Sequence, residues 1–207
     1  ALRAFALPQK RLLTVTGADG VTALNAYLLL PPDFSDTRAY PLLLRRALDS
    51  VKGQSYPHWR LVVVNDGGDP APVDALVAEI FGSDARVSVL HNPRSLGMEG
   101  ASNAGLARLD TDLAAIHDDD DAWAPAMLSV ATQALRTQNA IFPSVRGVVT
   151  RVNAVHETIL GGHIRIDRVV AWQATTADPL DEGFVDLSRI LMRNQFPPIA
   201  FLFDLAV

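Results

Sequence analysis

Two hydrophobic rhythms run through this chain. Leu61-Val62-Val63-Val64 and Leu113-Ala114-Ala115-Ile116 are short, continuous apolar runs, each closed by polar residues. Runs this short, without helical spacing, predict strands buried on both faces, here over 61–65 and 113–117. Ala26 to Leu30 has the same character and ends at Pro31-Pro32. Leu12 to Val15 is a shorter candidate ahead of a turn-like Gly17-Ala18-Asp19-Gly20, and Arg86 to His91 alternates through Val87, Val89 and His91. Between these runs the period changes. Leu43, Leu44, Ala47, Leu48 and Val51 recur at three and four residues and predict a helix over 42–51. Leu76, Val77 and Ile80 predict another over 73–81. A small-residue helix is expected over 98–109, and one more over 125–136 with Pro125 in its first turn, where a missing N–H is harmless. Alternating strands and helices predict an α/β chain with a mostly parallel, right-handed central sheet flanked by helices.

After about residue 140 the pattern turns to strand. Val145, Val148-Val149 and Val152 suggest one, and Gly161-Gly162 between Ile159 and Ile164 signals a hairpin. Leu187 to Asn194 reads as a short helix, and Phe196 to Phe203 leads into a late strand. No repeat or low-complexity linker interrupts the chain, so 1–207 reads as one domain.

Length and charge narrow the function classes. A chain of 207 residues can build one sizeable core. A formal net charge of −5 and a pI near 5.4 argue against a broad nucleic-acid footprint. With no cysteine, disulfides and thiolate metal sites are excluded, which suits the cytoplasm without fixing the compartment. No apolar run approaches the ~18 residues of a membrane span, so no transmembrane segment is expected, while peripheral membrane association stays open. The start, Ala1-Leu2-Arg3-Ala4-Phe5, lacks a signal-peptide layout and a Met, which suggests part of a longer product.

The candidate chemistry lies in Ile116-His117-Asp118-Asp119-Asp120-Asp121-Ala122-Trp123. Four adjacent carboxylates repel one another. At the C-terminal end of a buried strand, where α/β sheets bind ligands, they could hold a divalent cation through oxygen. The local alternative is a solvated acidic turn capping the next helix.

Four further segments accompany the acids: Pro32-Asp33-Phe34-Ser35, then Ala47-Leu48-Asp49-Ser50-Val51 running into Gln54-Ser55-Tyr56-Pro57-His58-Trp59, then Val63-Val64-Asn65-Asp66-Gly67, and Asn92 with Gly97, Ala101, Asn103, Ala104 and Gly105. Their order and spacing, over roughly Ala26 to Pro125, resemble family 2 glycosyltransferases of the GT-A fold. The family pattern is a strand ending in Pro-Thr-Tyr-Asn, an ALxSVxxQxYPxW helix, a VVDDGS strand end, an NxGxxxARNxG helix and a DxDD-W-P segment. The resemblance implies a Rossmann-like, nucleotide-sugar-binding half over 26–137 and a partial acceptor half over 138–207. It implies a metal-dependent, inverting transfer of a hexose-type sugar from a nucleotide donor, UDP above all. The acceptor would be a saccharide or lipid-linked glycan, in polysaccharide, glycolipid or glycan assembly, and the metal Mn²⁺ or Mg²⁺.

Roles follow residue by residue. Asp118 would meet the ribose or sugar, Asp120 would ligate the metal, and Asp121 would add a metal contact or cap the next helix. Asp119 stands at the variable position and is expected to face solvent, beside the donor. Asp66 would accept from a nucleobase imide N–H, favouring uracil or thymine; the local reading is an acid that only organises the Gly67-Gly68 turn. Asn65 replaces a usual Asp and would keep a polar contact. Phe34 would stack on the base or sit in the core, next to Asp33, which departs from the family pattern. Arg94 could reach a phosphate or be merely solvated. Gly97 would take a positive φ or allow close backbone approach. Trp59 and His117 read as packed, and Trp123 as lid or core. The base of inverting members follows the Phe-Pro-Pro-Ile-like segment, but here the sequence ends at Asp204-Leu205-Ala206-Val207. The base is therefore expected beyond Val207, with Asp181 and Glu182 as weak candidates. A non-catalytic or truncated nucleotide-binding module is the alternative. A nucleotidyltransferase is a further one, disfavoured by the lack of a glycine-rich loop after the first strand.

Overall fold

The structure, a computed structural model, describes residues 10–15, 24–29, 39–160, 162–171 and 196–205. Its elements are β1 (Lys10–Val15), β2 (Leu24–Leu29), α1 (Ala39–Lys52), β3 (Leu61–Asp66), α2 (Pro70–Phe81), β4 (Val87–Asn92), α3 (Gly97–Leu106), β5 (Leu113–His117), α4 (Met127–Ile141), β6 (Gly147–Val149), β7 (Asn153–Leu160), β8 (His163–Ala171) and β9 (Phe201–Asp204), with a 3₁₀ turn at Pro198–Ala200. Within the described residues every strand and helix expected from the hydrophobic rhythm is present, with ends moved by a few residues. Helix α2 starts earlier than its apolar stripe because Asp69 accepts from the Ala71 N–H at 3.1 Å and Pro70 opens the first turn. The helix expected over 187–194 and the turn at 17–20 lie outside the described residues.

Among the described residues seven strands form one sheet in the order β4-β3-β1-β2-β5-β9-β6, and β7 and β8 pair as a separate hairpin. The parallel pairs are β3–β4 and β2–β5. Strand β1 runs antiparallel to β2, β3 and β5, and β9 runs antiparallel to β5 and β6. The sheet is thus mixed, which corrects the expectation of a mostly parallel one. The physical reason is that a continuous apolar run specifies burial on both faces but carries no direction.

The buried positions show how the sheet is covered. Leu61 and Val63 face a core shared with Leu44, Leu48 and Val51 of α1, Val73 and Ile80 of α2, and Leu128 and Leu135 of α4. Val62 and Val64 point the other way, onto Ala101 of α3. That alternation explains why all six positions of β3 are buried. Trp59 is 1% exposed, packs edge-on against Phe81, and carries the Arg86 guanidinium 3.8 Å from its ring centre. Among the described residues, no helix is long and apolar enough to cross a membrane.

Candidate functional site

Strands β3 and β5 both run antiparallel to β1, with Leu12 opposite Val64 and Leu13 opposite His117. Their C-terminal ends therefore share one edge of the sheet, as the alternating pattern predicts. Asp66 closes β3 at that edge, and the acidic run follows β5.

Asp66 is 2% exposed, and its carboxylate is a fastener. Oδ1 accepts from the Asn92 side-chain amide at 2.7 Å and from the Leu96 N–H at 2.9 Å. Oδ2 accepts from the Ser95 hydroxyl at 2.9 Å and from the N–H groups of Leu96 and Gly97 at 3.0 and 3.1 Å. Every donor comes from the end of β4, the loop leading into α3, or the first residue of α3. Gly67 makes the approach feasible: its φ is +81°, and a Cβ there would collide with the backbone of Arg94 and Ser95. Gly97 also has a positive φ, +75°, at the entry to α3. Asn65 is fully buried. Its amide donates to the Gly68 carbonyl at 2.9 Å and accepts from the Gly68 N–H at 3.2 Å. It also meets His91 Nδ1 at 3.0 Å, while His91 Nε2 lies 3.0 Å from Asp74. With Nε2 as the donor to that carboxylate, Nδ1 is left to accept from Asn65. Asn65 thus holds the Gly67-Gly68 turn, while the Asp66 carboxylate holds the segment from Asn92 to Gly97. Reading a base imide through Asp66 requires that carboxylate to release a loop donor. Arg94 is exposed on the loop that Asp66 holds.

The acidic turn is built from its backbone. The Asp121 N–H donates to the Asp118 carbonyl at 3.3 Å, closing a turn with Asp119 and Asp120 at its centre. His117 Nδ1 lies 2.6 Å from the same carbonyl and must be its donor. His117 Nε2 is 3.1 Å from the Ser50 hydroxyl, which also lies 2.8 Å from the Ala47 carbonyl. Burial pushes this imidazole down to about 3, the hydrogen bond to Asp118 pulling back up and the Arg46 charge adding to the fall. His117 is therefore neutral at physiological pH, and its ring packs edge-on against Trp123 at 4.7 Å.

Asp119 is 3% exposed whereas Asp120 is exposed, so the expectation of a solvent-facing Asp119 is corrected. The tight turn puts its two central residues on opposite sides, which four identical letters cannot foretell. Asp118 and Asp121 are half-buried. Among the described residues no three His, Asp or Glu side chains gather as a metal cage. An oxygen-only set on one turn fits a hard divalent ion taken by one or two carboxylates with phosphate oxygens completing its shell.

Three side chains brace this turn and its surroundings. Arg46 of α1 donates from Nη2 to the Asp120 carbonyl and forks onto Glu157 of β7, at 2.6 Å from Nη1 and 3.1 Å from Nη2. Its Nε is buried without an acceptor. An orphaned donor of this kind costs about 1–3 kcal/mol, which the charge-assisted fork offsets. Trp123 is buried and donates from Nε1 to the Ile199 carbonyl at 2.9 Å, tying the acidic segment to the approach to β9. Gln54 donates to the carbonyls of Ser50 and Ala124 at 3.0 and 2.9 Å and accepts from the Leu128 N–H at 3.0 Å, setting the start of α4. Gln54 and Trp123 both stand in the sequence motifs, Trp123 as lid or core, whereas Arg46 carries no signal in the sequence. Asp33, Phe34, Asp181 and Glu182 lie outside the described residues.

Comparison with known proteins follows the same stretch of chain. The sequence model of the family described as glycosyl transferase family 2 matches residues 38–178. The succinoglycan biosynthesis protein ExoW of Rhizobium meliloti is 34% identical over 97 residues, covering 46% of this chain and 30% of that protein. An uncharacterized glycosyltransferase of Nostoc sp. is 25% identical over 167 residues, covering 79% of this chain and 47% of its own length. The pre-mycofactocin glycosyltransferase of Mycobacterium tuberculosis is 38% identical over 77 residues, covering 37% of this chain and 15% of that protein. The chain thus spans less than half the length of these relatives. The family implies a GT-A α/β fold, and the family match takes in α1, the β3 turn, the Asp66-held loop and the acidic turn alike. This chain belongs to glycosyl transferase family 2.

Proposed function

We propose that this chain is the donor-binding part of an inverting glycosyltransferase that uses a nucleotide sugar, with UDP as the nucleotide and a growing polysaccharide as acceptor. The observation that carries it is the shared sheet edge: the acidic turn follows β5 and Asp66 closes β3 at the same edge, both inside the family match. The likeness to a succinoglycan biosynthesis protein supports the acceptor class.

In such a transfer the acceptor oxygen bonds to the anomeric carbon as the bond to the diphosphate breaks. The diphosphate leaves with the electron pair, and a base takes the hydroxyl proton. A bound Mn²⁺ or Mg²⁺ supplies Lewis acidity toward the leaving diphosphate. Asp120 and Asp121 are the residues assigned to hold it, with Asp118 toward the ribose or sugar and Asp119 packed beneath. Asp66 acts through the loop it fastens, placing Arg94 toward a phosphate. Asn65 keeps the β3 turn in shape. Asp33 and Phe34 remain the assignment for base contacts, and Asp181 and Glu182 the weak candidates for the base. A cytoplasmic or membrane-peripheral setting is part of this reading.

Calorimetry with UDP, GDP and ADP, each with and without Mn²⁺, tests this. UDP should bind more tightly than the purine nucleotides, and Mn²⁺ should tighten it. Asp120→Asn should remove the Mn²⁺ effect while the melting temperature holds. Equal affinities for the three nucleotides without any Mn²⁺ effect would overturn the reading.

A further inference from the structure

We propose that Arg46 and Glu157 form a clasp that couples the β7–β8 hairpin to the acidic turn, making Arg46 a positioning residue for the donor site. The inference rests on the donor-site reading above. Arg46 joins three separate elements: its own helix α1, Glu157 on β7, and the Asp120 carbonyl in the turn. Among the described residues β7 and β8 pair only with each other, so the main sheet's ladder does not fix the hairpin in place. The Arg46 fork joins it to α1 instead.

The chemistry of the fork explains why arginine fits here. A planar guanidinium can hold a carboxylate with two parallel N–H groups and still spend one N–H on a carbonyl in the same plane. The pair is only partly exposed, so solvent screens it less than a surface ion pair. With Glu157 in place the guanidinium is held by the fork and meets the turn at the Asp120 carbonyl. Without Glu157 the fork that fixes its plane is gone. The hairpin therefore sets the turn's shape through a residue that need not touch the donor.

Amide hydrogen exchange on the ligand-free protein decides this. Glu157→Gln removes the charge and keeps the shape. The clasp predicts faster exchange in 118–121 by about fivefold or more, the low end of ordinary site-to-site coupling, and Arg46→Met should do the same. Exchange in 118–121 at the wild-type rate in Glu157→Gln, with only the hairpin loosened, would overturn it. Glu157→Asp serves if Glu157→Gln fails to fold, since a shortened fork should loosen the turn in the same direction. A second arm adds UDP with Mn²⁺. Coupling is reciprocal, so nucleotide that protects the turn should also slow exchange in 153–160, and Arg46→Met should abolish that remote protection. Protection of the turn without protection of the hairpin counts against the clasp. Failure of the wild type to bind any nucleotide sinks the donor-site reading instead, and the ligand-free arm still decides the clasp.

Discussion

Replacing Asp66 with Asn separates two roles for this carboxylate. Both oxygens face donors: Asn92 and Leu96 at Oδ1, and Ser95, Leu96 and Gly97 at Oδ2. An amide keeps the size but removes the charge and turns one acceptor into a donor. The Leu96 N–H reaches both oxygens and keeps the one that remains, and the Ser95 hydroxyl can rotate to accept. The main loss is the charge: bonds to a charged acceptor contribute about 1.5–3 kcal/mol and neutral ones about 0.5–1.5, so four donors give a loss of roughly 4 kcal/mol. At about 2–4 °C per kcal/mol for a chain of this size, the melting temperature should fall by on the order of 10 °C. Differential scanning calorimetry on the ligand-free protein reads this directly. If Asp66 served only to read a base, Asp66→Asn would weaken nucleotide binding and leave the melt in place; that outcome would refute the fastener argument.

Two further expectations follow from the same edge. Gly67→Ala forces a Cβ into the Arg94–Ser95 backbone at a φ of +81°, so it should lose about 1–3 kcal/mol from backbone strain alone and weaken nucleotide binding; an unchanged melt would refute the close approach. His117 is held near 3 against an ordinary 6.5, so below 6.5 the unfolded chain binds a proton that the native one does not, and stability is lost as pH falls. Between about pH 6.5 and pH 5 that is roughly 2 kcal/mol in urea unfolding, absent in His117→Gln; parallel pH profiles for the two proteins would count against a buried neutral imidazole.

The sequence revealed elements more readily than their directions. β3 and β5 are legible because six and five consecutive strand positions need cover, and apolar runs show that need. The direction of β1 is not legible, since an antiparallel strand in the sheet interior has the same composition as a parallel one. The acidic turn announces itself through charge density, yet which of its members turns inward depends on backbone geometry that a run of one residue type hides. The Asp66 fastening was half-visible: Asn92 and Gly97 stood out in the pattern, but a carboxylate that reads a base and one that holds a loop look alike in sequence. Arg46 and Glu157 lie 111 residues apart, and no local periodicity registers such a pair.

Aspartate is used in two ways at this edge, and the difference predicts how stability and binding separate. At β3 the carboxylate of Asp66 is itself the fastener, so its loss should loosen the loop and weaken binding together. At β5 the turn is held by its backbone: the Asp118 carbonyl by His117 Nδ1 and the Asp121 N–H, and the Asp120 carbonyl by Arg46. A change to the exposed Asp120 side chain leaves all three of those bonds standing. Asp120→Asn therefore keeps the backbone bonds that close the acidic turn, whereas Asp66→Asn alters the very group that holds the loop between β4 and α3. The two substitutions should separate accordingly, the second lowering the melting temperature more than the first.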